Sequence, residues 1–227
     1  MTGRKPPRQD EWGFDIPADC RRKPALVSGA WQARNSEVTM RKLSVFNNVS
    51  LDGYFTDENQ DYSFAHEGAN DPELMEFTKA NAQGENALVF GRITYALMSA
   101  WWPTPAAVTA MPEIAKGMNE APKYVFSRTL KAADWSNSTL LKGDPATEIA
   151  RIKQTPGPNM TVLGSGTIVA QLTAAGLVDD VQLLVCPVLL GSGRSMFAGV
   201  TGEPRWTLSH SRTFKNGRVF LAYNRTA

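Results

Sequence analysis

Residues 160–176, MTVLGSGTIVAQLTAAG, combine a short apolar run, a glycine-rich turn and a second apolar segment. Met160–Leu163 has the length of a strand, and Thr167–Ala175 is predicted to be a helix that ends at Gly176, since glycine is common at helix C-termini. The turn Gly164-Ser165-Gly166-Thr167 lies between them. It suits a phosphate, because glycines let backbone amides come close and a helix N-terminus favours negative charge. The alternative is a plain tight connection.

Strands and helices alternate on both sides of this unit. Strands are predicted at Lys42–Val49, Ala87–Phe90, Lys123–Phe126, Ser138–Leu141 and Val181–Val185, and helices at Asp71–Gln83, Ile93–Ala100, Pro112–Asn119 and Pro145–Lys153. A proline-rich loop is predicted from Trp101 to Pro105, and a closing hairpin at Trp206–Thr213 and Arg218–Tyr223. This order predicts an α/β fold: a mixed, mostly parallel sheet with helices on both faces and a C-terminal antiparallel hairpin.

Two segments differ in composition. Residues 1–39 contain four prolines and no sustained periodicity, which predicts a disordered or loosely packed N-terminal extension. Residues 40–227 are predicted to form one domain. An alternative is that Met40 is the natural start and the preceding residues are a leader or an annotation error.

Charge and composition exclude several classes of function. The net charge is +2, and residues 40–227 carry 17 basic and 17 acidic side chains, so neither a nucleic acid nor a membrane partner is expected. Two cysteines and two histidines, far apart in sequence, predict no disulfide framework and no metal site. Without a secretion signal or an apolar run of membrane-spanning length, the expected location is cytoplasmic.

Two more turns have phosphate-binding chemistry. Gly91, Arg92 and Thr94 follow the Ala87–Phe90 strand and place a guanidinium and a hydroxyl at a helix N-terminus. Ser127-Arg128-Thr129 follows Lys123–Phe126 and places two hydroxyls around an arginine. Each alone could be a solvated surface turn. Three such turns after three strands of one sheet predict a dinucleotide cleft.

Five motifs in order resemble one known family. They are NVSLDGY at 48–54, GRITY at 91–95, SRT at 127–129, GSGT at 164–167 and CPVLLGSG at 186–193. The chain is similar, from Met40 to Tyr223, to the reductase domain of the bifunctional riboflavin-biosynthesis deaminase-reductase and its stand-alone bacterial relatives. The deaminase motifs are absent from the sequence, so the chain cannot be the complete bifunctional enzyme. The resemblance implies a homodimer with a three-layer, dihydrofolate-reductase-like fold and NADPH across the sheet.

The resemblance also implies roles for individual residues. Gly91, Arg92 and Thr94 would hold phosphates, Ser127, Arg128 and Thr129 the 2′-phosphate of adenosine, and Gly164 to Thr167 the pyrophosphate. Asp52 would face the substrate, and Pro187–Gly193 would line the far wall. Glu73 is a second acid candidate, since it lies roughly where dihydrofolate reductase has its substrate carboxylate.

The function expected from these features is an NADPH-dependent reductase that transfers hydride to a C=N or C=O bond of a small heterocyclic substrate. Hydride addition requires a proton, and Asp52 could supply it only if desolvated; otherwise it would orient the substrate or relay through water. Trp101 and Trp102 suit either an aromatic lid or packing. Two alternatives are a non-catalytic nucleotide- or folate-binding module, and an acyl- or phosphoryl-transfer enzyme, for which no convincing nucleophile is present.

Overall fold

A computed structural model of the chain describes residues 40–68 and 70–226; the predicted extension, 1–39, lies outside them. The strands are β1 Leu43–Val49, β2 Tyr54–Thr56, β3 Ala87–Gly91, β4 Lys123–Phe126, β5 Ser138–Leu141, β6 Met160–Leu163, β7 Asp180–Val185, β8 Arg194–Ser195, β9 Trp206–Thr213 and β10 Val219–Arg225. The α-helices are α1 Pro72–Ala82, α2 Arg92–Trp101, α3 Pro105–Ala110, α4 Pro112–Glu120, α5 Pro145–Lys153 and α6 Gly166–Ala174. A 3-10 turn covers Ser63–Ala65.

Eight of these strands form one sheet in the order β5-β4-β3-β6-β1-β7-β10-β9. The first six run parallel to one another, and β10 pairs antiparallel with both β7 and β9. The predicted mostly parallel sheet with an antiparallel hairpin is confirmed. The carboxyl ends of six parallel strands therefore meet at one edge, which is where ligands bind in open α/β sheets.

Helices cover both faces of the sheet and give the molecule three layers. One buried cluster joins β1 and β6 to α5 and α6, through residues such as Val45, Val162 and Leu172. On the other side, Tyr95 of α2 and Ile114 of α4 pack on β3 and β4. Burial of these apolar side chains is the main force that holds the layers together.

Helix starts follow one chemical pattern. Asp71 and Asp144 each accept a hydrogen bond at 2.9 Å from the backbone N–H three residues later, and a proline follows each of them. Thr104 begins α3 in the same way, with Pro105 after it. The prediction that the loop from Trp101 extends through Pro105 was wrong there, because Pro105 opens a helix.

A two-stranded ribbon lies outside the main sheet and was not predicted. We call β2 and β8 the outer ribbon; Tyr54 pairs with Ser195, and Thr56 pairs with Arg194. The two strands have three and two residues, too few for a periodic pattern. The ribbon joins segments about 140 residues apart in the sequence.

Candidate functional site

A cleft of about 640 Å³ opens at the carboxyl ends of β1, β3 and β6. Its walls come from β1, the first turns of α2 and α6, the sides of α1 and α4, and the outer ribbon. Gly91, Arg92, Thr94 and all four residues of Gly164–Thr167 line it. Two of the three predicted turns are therefore brought together in one cleft.

Ser165 connects these two turns. Its hydroxyl accepts a hydrogen bond from the Gly91 backbone N–H at 2.7 Å and donates one to Oγ1 of Thr94 at 3.0 Å. Its backbone is left-handed, with φ of 57°. The hydroxyls of Ser165 and Thr94 thus join the two turns. The Gly91 N–H is occupied by this contact, and the first N–H groups of α2 and α6 remain as donors for a ligand.

Asn47 of β1 binds the glycine-rich turn before α6. It is 7% exposed, its Oδ1 accepts from the Gly164 N–H at 2.8 Å, and its Nδ2 contacts Sδ of Met196 at 2.8 Å. Sequence reasoning missed this residue. A polar side chain at a position that the alternation of β1 predicts to be buried, after Leu43 and Val45, was the signal.

The glycines of the phosphate-like turn have a packing role that was not predicted. Gly164 has φ of +62°, and a Cβ there would lie 2.7 Å from Oγ1 of Thr94. A Cβ on Gly166 would lie 2.5 Å from Cε1 of Phe55, so the Phe55 ring of the outer ribbon rests on the first turn of α6. Close contact between protein segments requires glycine at both positions.

Among the described residues, no side chain caps either of the two helices that begin at the cleft. Gly91 precedes α2 and Ser165 precedes α6, and neither side chain caps its helix, in contrast to Asp71 and Asp144. The first N–H groups of a helix have no partner within the helix. Both helix N-termini can therefore bind an anion in the cleft.

The charges of the cleft favour anions as well. Among the described residues, the side chains that line it include Arg92 and Arg194 but no Asp, Glu, His, Lys or Cys. Tyr62 also lines it, and burial, with a smaller effect of the Asp61 charge, raises the pKa of its hydroxyl. The cleft is positively charged, and the hydroxyl of Tyr62 keeps its proton at neutral pH.

Neither predicted acid lines the cleft. Asp52 is exposed and accepts hydrogen bonds from the Ser50 hydroxyl at 2.6 Å and the Gly191 N–H at 2.7 Å. These bonds, that of Ser50 above all, lower the pKa of Asp52, so the carboxylate is ionised and anchors the loop after β7. Glu73 is half-buried in the first turn of α1. A role of Asp52 or Glu73 in catalysis stays a prediction. Residues Pro187–Gly193 do not line the cleft either, and their role as the far wall of the substrate pocket also stays a prediction.

The third predicted turn adjoins the cleft without lining it. Phe126, which lines the cleft, pairs with Gly91, so Ser127 follows β4 next to the start of α2. Oγ of Ser127 accepts from the N–H groups of Thr129 at 3.2 Å and Leu130 at 3.0 Å. Arg128 is exposed at the tip of this turn.

The two tryptophans differ in position. Trp102 lines the cleft, and its indole N–H lies 3.1 Å from Sδ of Met98. Trp101 is 43% exposed and does not line the cleft. Only Trp102 is placed to contact a ligand there.

The sheet order, the three layers and the cleft define a dihydrofolate-reductase-like α/β protein with a reductase-type fold. Residues 41–220 match the RibD C-terminal domain family, and the chain belongs to it. It is 28% identical over 176 residues to uncharacterized protein YyaP of Bacillus subtilis, covering 78% of this chain and 90% of the relative. Uncharacterized protein YwjB of the same organism is 26% identical, covering 77% and 92%.

Solved structures share the fold at low identity. A putative riboflavin biosynthesis protein from Shewanella sp. PV-4 has a TM-score of 0.63 at 20% identity, covering 82% of this chain and 99% of that one. Dihydrofolate reductase from Enterococcus faecalis, complexed with NADP(H), has a TM-score of 0.55 at 14% identity, covering 82% and 97%. A deaminase/reductase from Thermotoga maritima has a TM-score of 0.58 at 12% identity, and the match covers 82% of this chain and 57% of that one.

Within residues 40–68 and 70–226, no helix is long and apolar enough to cross a membrane. The same residues contain no group of three or more His, Cys, Asp or Glu side chains that could hold a metal ion.

Proposed function

We propose that the protein is an NADPH-dependent reductase that transfers hydride to a C=N or C=O bond of a small heterocyclic substrate. One observation carries the proposal: two helices without side-chain caps begin at a single cleft that is lined by two arginines and, among the described residues, by no acid. Such a cleft suits a dinucleotide with several phosphates. Membership of the RibD C-terminal domain family supports the same conclusion.

The residues present fit the cofactor. Arg92 and the free N–H groups at the start of α2 and α6 would bind the pyrophosphate. Arg128, on the adjoining turn, would bind the 2′-phosphate that distinguishes NADPH from NADH. When bound, NADPH supplies the hydride.

The remaining part of the cleft would hold the substrate. Amide side chains line it, including those of Asn48, Asn81 and Gln182, beside the apolar surfaces of Phe46 and Trp102. Amides donate and accept hydrogen bonds, and the apolar surfaces suit the faces of a flat ring. A pyrimidine or pterin ring has both features, and the names of the Shewanella and Thermotoga neighbours support a pyrimidine of riboflavin biosynthesis.

The proton for the reduced bond is assigned to Tyr62 or to a water that it orients. Hydride addition leaves negative charge on the heteroatom, and a nearby group must neutralise it. Tyr62 lines the cleft with its proton retained, whereas Asp52 is ionised and bonded to the 190–191 loop. Asp52 is therefore proposed to position that loop.

The test begins with titration of the full chain with NADPH and NADH, followed by nicotinamide fluorescence. Selective binding of NADPH is expected, and pterins, dihydrofolate and aminopyrimidine ribitols are then screened for oxidation of the cofactor. With a substrate in hand, Tyr62→Phe is expected to lower kcat much more than it weakens NADPH binding, whereas Tyr54→Phe on the outer ribbon serves as the control. Failure of both cofactors to bind would refute the reductase proposal.

A second candidate is a non-catalytic nucleotide- or folate-binding module. It is favoured by one feature: Asp, Glu, His, Lys and Cys, the usual proton-transfer side chains, do not occur in the lining that the structure describes. NADPH binding without oxidation by any member of the substrate panel would favour this module over the reductase.

A further inference from the structure

We propose that Arg194 of the outer ribbon is a phosphate-binding residue of the cleft, beside the start of α6. The inference rests on the proposed function, because the phosphate belongs to the dinucleotide or to a phosphorylated substrate of the same cleft. Arg194 was not among the residues that the sequence motifs predicted.

The position of Arg194 follows from the contacts of the ribbon. Arg194 pairs with Thr56, and the neighbour of Thr56, Phe55, rests on Gly166 at the first turn of α6. Two residues after Arg194, Met196 is 1% exposed and contacts Asn47, the side chain that holds Gly164. The ribbon thus lies over the start of α6, and Arg194 lines the cleft there.

The backbone on the N-terminal side of Arg194 is also held in place. Gly193 has φ of +150°, and a Cβ on it would overlap the carbonyl oxygen of Thr56. The carboxylate of Asp52 accepts a hydrogen bond from the Gly191 N–H at 2.7 Å. A guanidinium on a fixed backbone loses less entropy when it binds a ligand.

The arginines differ in the contacts that their guanidinium groups make. The described residues contain nine arginines. Six contact a carboxylate, a carbonyl or an aromatic ring: Arg41, Arg151, Arg205, Arg212, Arg218 and Arg225. Within residues 40–68 and 70–226, Arg92, Arg128 and Arg194 make no such contact. Arg128 is near enough to Asp144 for its charge to lower the pKa of that carboxyl slightly.

These three arginines share a location. Arg92 and Arg194 line the cleft, and Arg128 is on the turn that follows β4 next to it. Two guanidinium groups line one cleft, and among the described residues no acid lines it, so the cleft attracts an anion. Guanidinium matches phosphate oxygens with two parallel hydrogen bonds, and so a phosphate is the anion that fits.

The experiment compares Arg194→Ala with Arg205→Ala in the full chain. Both substitutions remove one positive charge from an exposed arginine, but Arg205 is paired with Glu203 and does not line the cleft. Three probes are titrated: NADPH by fluorescence, inorganic pyrophosphate by calorimetry, and ribose 5-phosphate by calorimetry with NADPH present. Loss of one charge-assisted contact is expected to weaken phosphate binding by roughly 10-fold to 100-fold in Arg194→Ala and by less than about 2-fold in Arg205→Ala.

The probes separate the source of the phosphate. Weaker NADPH binding in Arg194→Ala assigns the residue to the cofactor, and unchanged NADPH binding with weaker ribose 5-phosphate binding assigns it to the substrate. Arg194→Lys retains the charge without the two-pronged geometry and is expected to give an intermediate loss.

The proposed function and this inference can fail separately. If the wild-type protein binds pyrophosphate but not NADPH, and Arg194→Ala weakens the binding of pyrophosphate, the reductase proposal fails and the phosphate role of Arg194 stands. If Arg194→Ala binds all three probes as the wild-type protein does, or if the wild-type protein binds none of them, the inference is overturned.

Discussion

The link between the two turns of the cleft makes a measurable prediction for Ser165. In Ser165→Ala the half-buried Gly91 N–H loses the acceptor that lies 2.7 Å away, and Thr94 loses a donor at 3.0 Å. An unsatisfied N–H costs about 1–3 kcal/mol and a lost neutral hydrogen bond about 1 kcal/mol. The free energy of unfolding is therefore expected to fall by about 2–4 kcal/mol.

The variant Ser165→Gly separates the effect of the hydroxyl on stability from the effect of the backbone conformation. It removes the same two hydrogen bonds but relieves the left-handed conformation at φ of 57°, which costs a side chain about 1 kcal/mol. We therefore expect this variant to be about 1 kcal/mol more stable than Ser165→Ala, and less stable than the wild-type protein.

Urea unfolding, followed by tryptophan fluorescence and circular dichroism, measures both effects. Ser99→Ala is the control, because its hydroxyl forms one exposed hydrogen bond at 3.3 Å, and its effect is expected to be below about 0.5 kcal/mol. The reasoning is refuted if Ser165→Ala is as stable as the control, or if Ser165→Gly is less stable than Ser165→Ala.

Three further predictions concern charged residues. Arg128→Ala is expected to raise the Kd for NADPH about 10-fold or more and to leave that for NADH almost unchanged; equal losses in a fluorescence titration would remove the argument for the 2′-phosphate. Burial lowers the pKa of Lys123 to about 8, from 10.5. Between these pH values the Lys123 amine is protonated in the unfolded chain but largely neutral in the folded one. The free energy of unfolding of the wild-type protein should therefore rise with pH, compared with that of Lys123→Met. Parallel plots of unfolding free energy against pH for the two proteins would contradict this. Arg218 is 2% exposed, and its guanidinium donates to the carbonyls of Phe64, Ala65 and Glu67. Arg218→Met is expected to cost about 3 kcal/mol and to speed protease cleavage near residues 63–68, and unchanged cleavage would show that the segment is held by other contacts.

Local patterns predicted most of the fold. Asp71 and Asp144, each followed by proline, mark true helix starts, and the apolar runs at β3, β6 and β7 are strands of the main sheet. Thr104 and Pro105 have the same pattern, but Pro103 beside them favoured a loop. In these segments the deciding interactions lie within a few residues in the sequence, which is why single-sequence reasoning succeeds there.

Prediction failed where distant segments meet. The glycines and hydroxyls of the 91–94 and 164–167 turns lie at one cleft, but the sequence could not show that Ser165 binds Gly91. Arg194 and Tyr62 are in no motif, and they become candidates only because the outer ribbon and the 61–66 segment fold over the cleft. Asp52 had a recognisable motif, yet two of its hydrogen-bond donors, the N–H groups of Leu190 and Gly191, are 138 and 139 residues away in the sequence.

The central place of β1 has a consequence for synthesis on the ribosome. It is the first strand of the sheet in the described chain, yet its two neighbours, β6 and β7, begin at Met160 and Asp180. A nascent chain that ends before residue 160 therefore holds an apolar strand with neither edge paired. The sheet must close late, from pairings of long sequence separation, which fold slowly and expose hydrophobic surface in the meantime. During translation, β1 is thus expected to remain a segment that a chaperone can bind until β6 and β7 have been made.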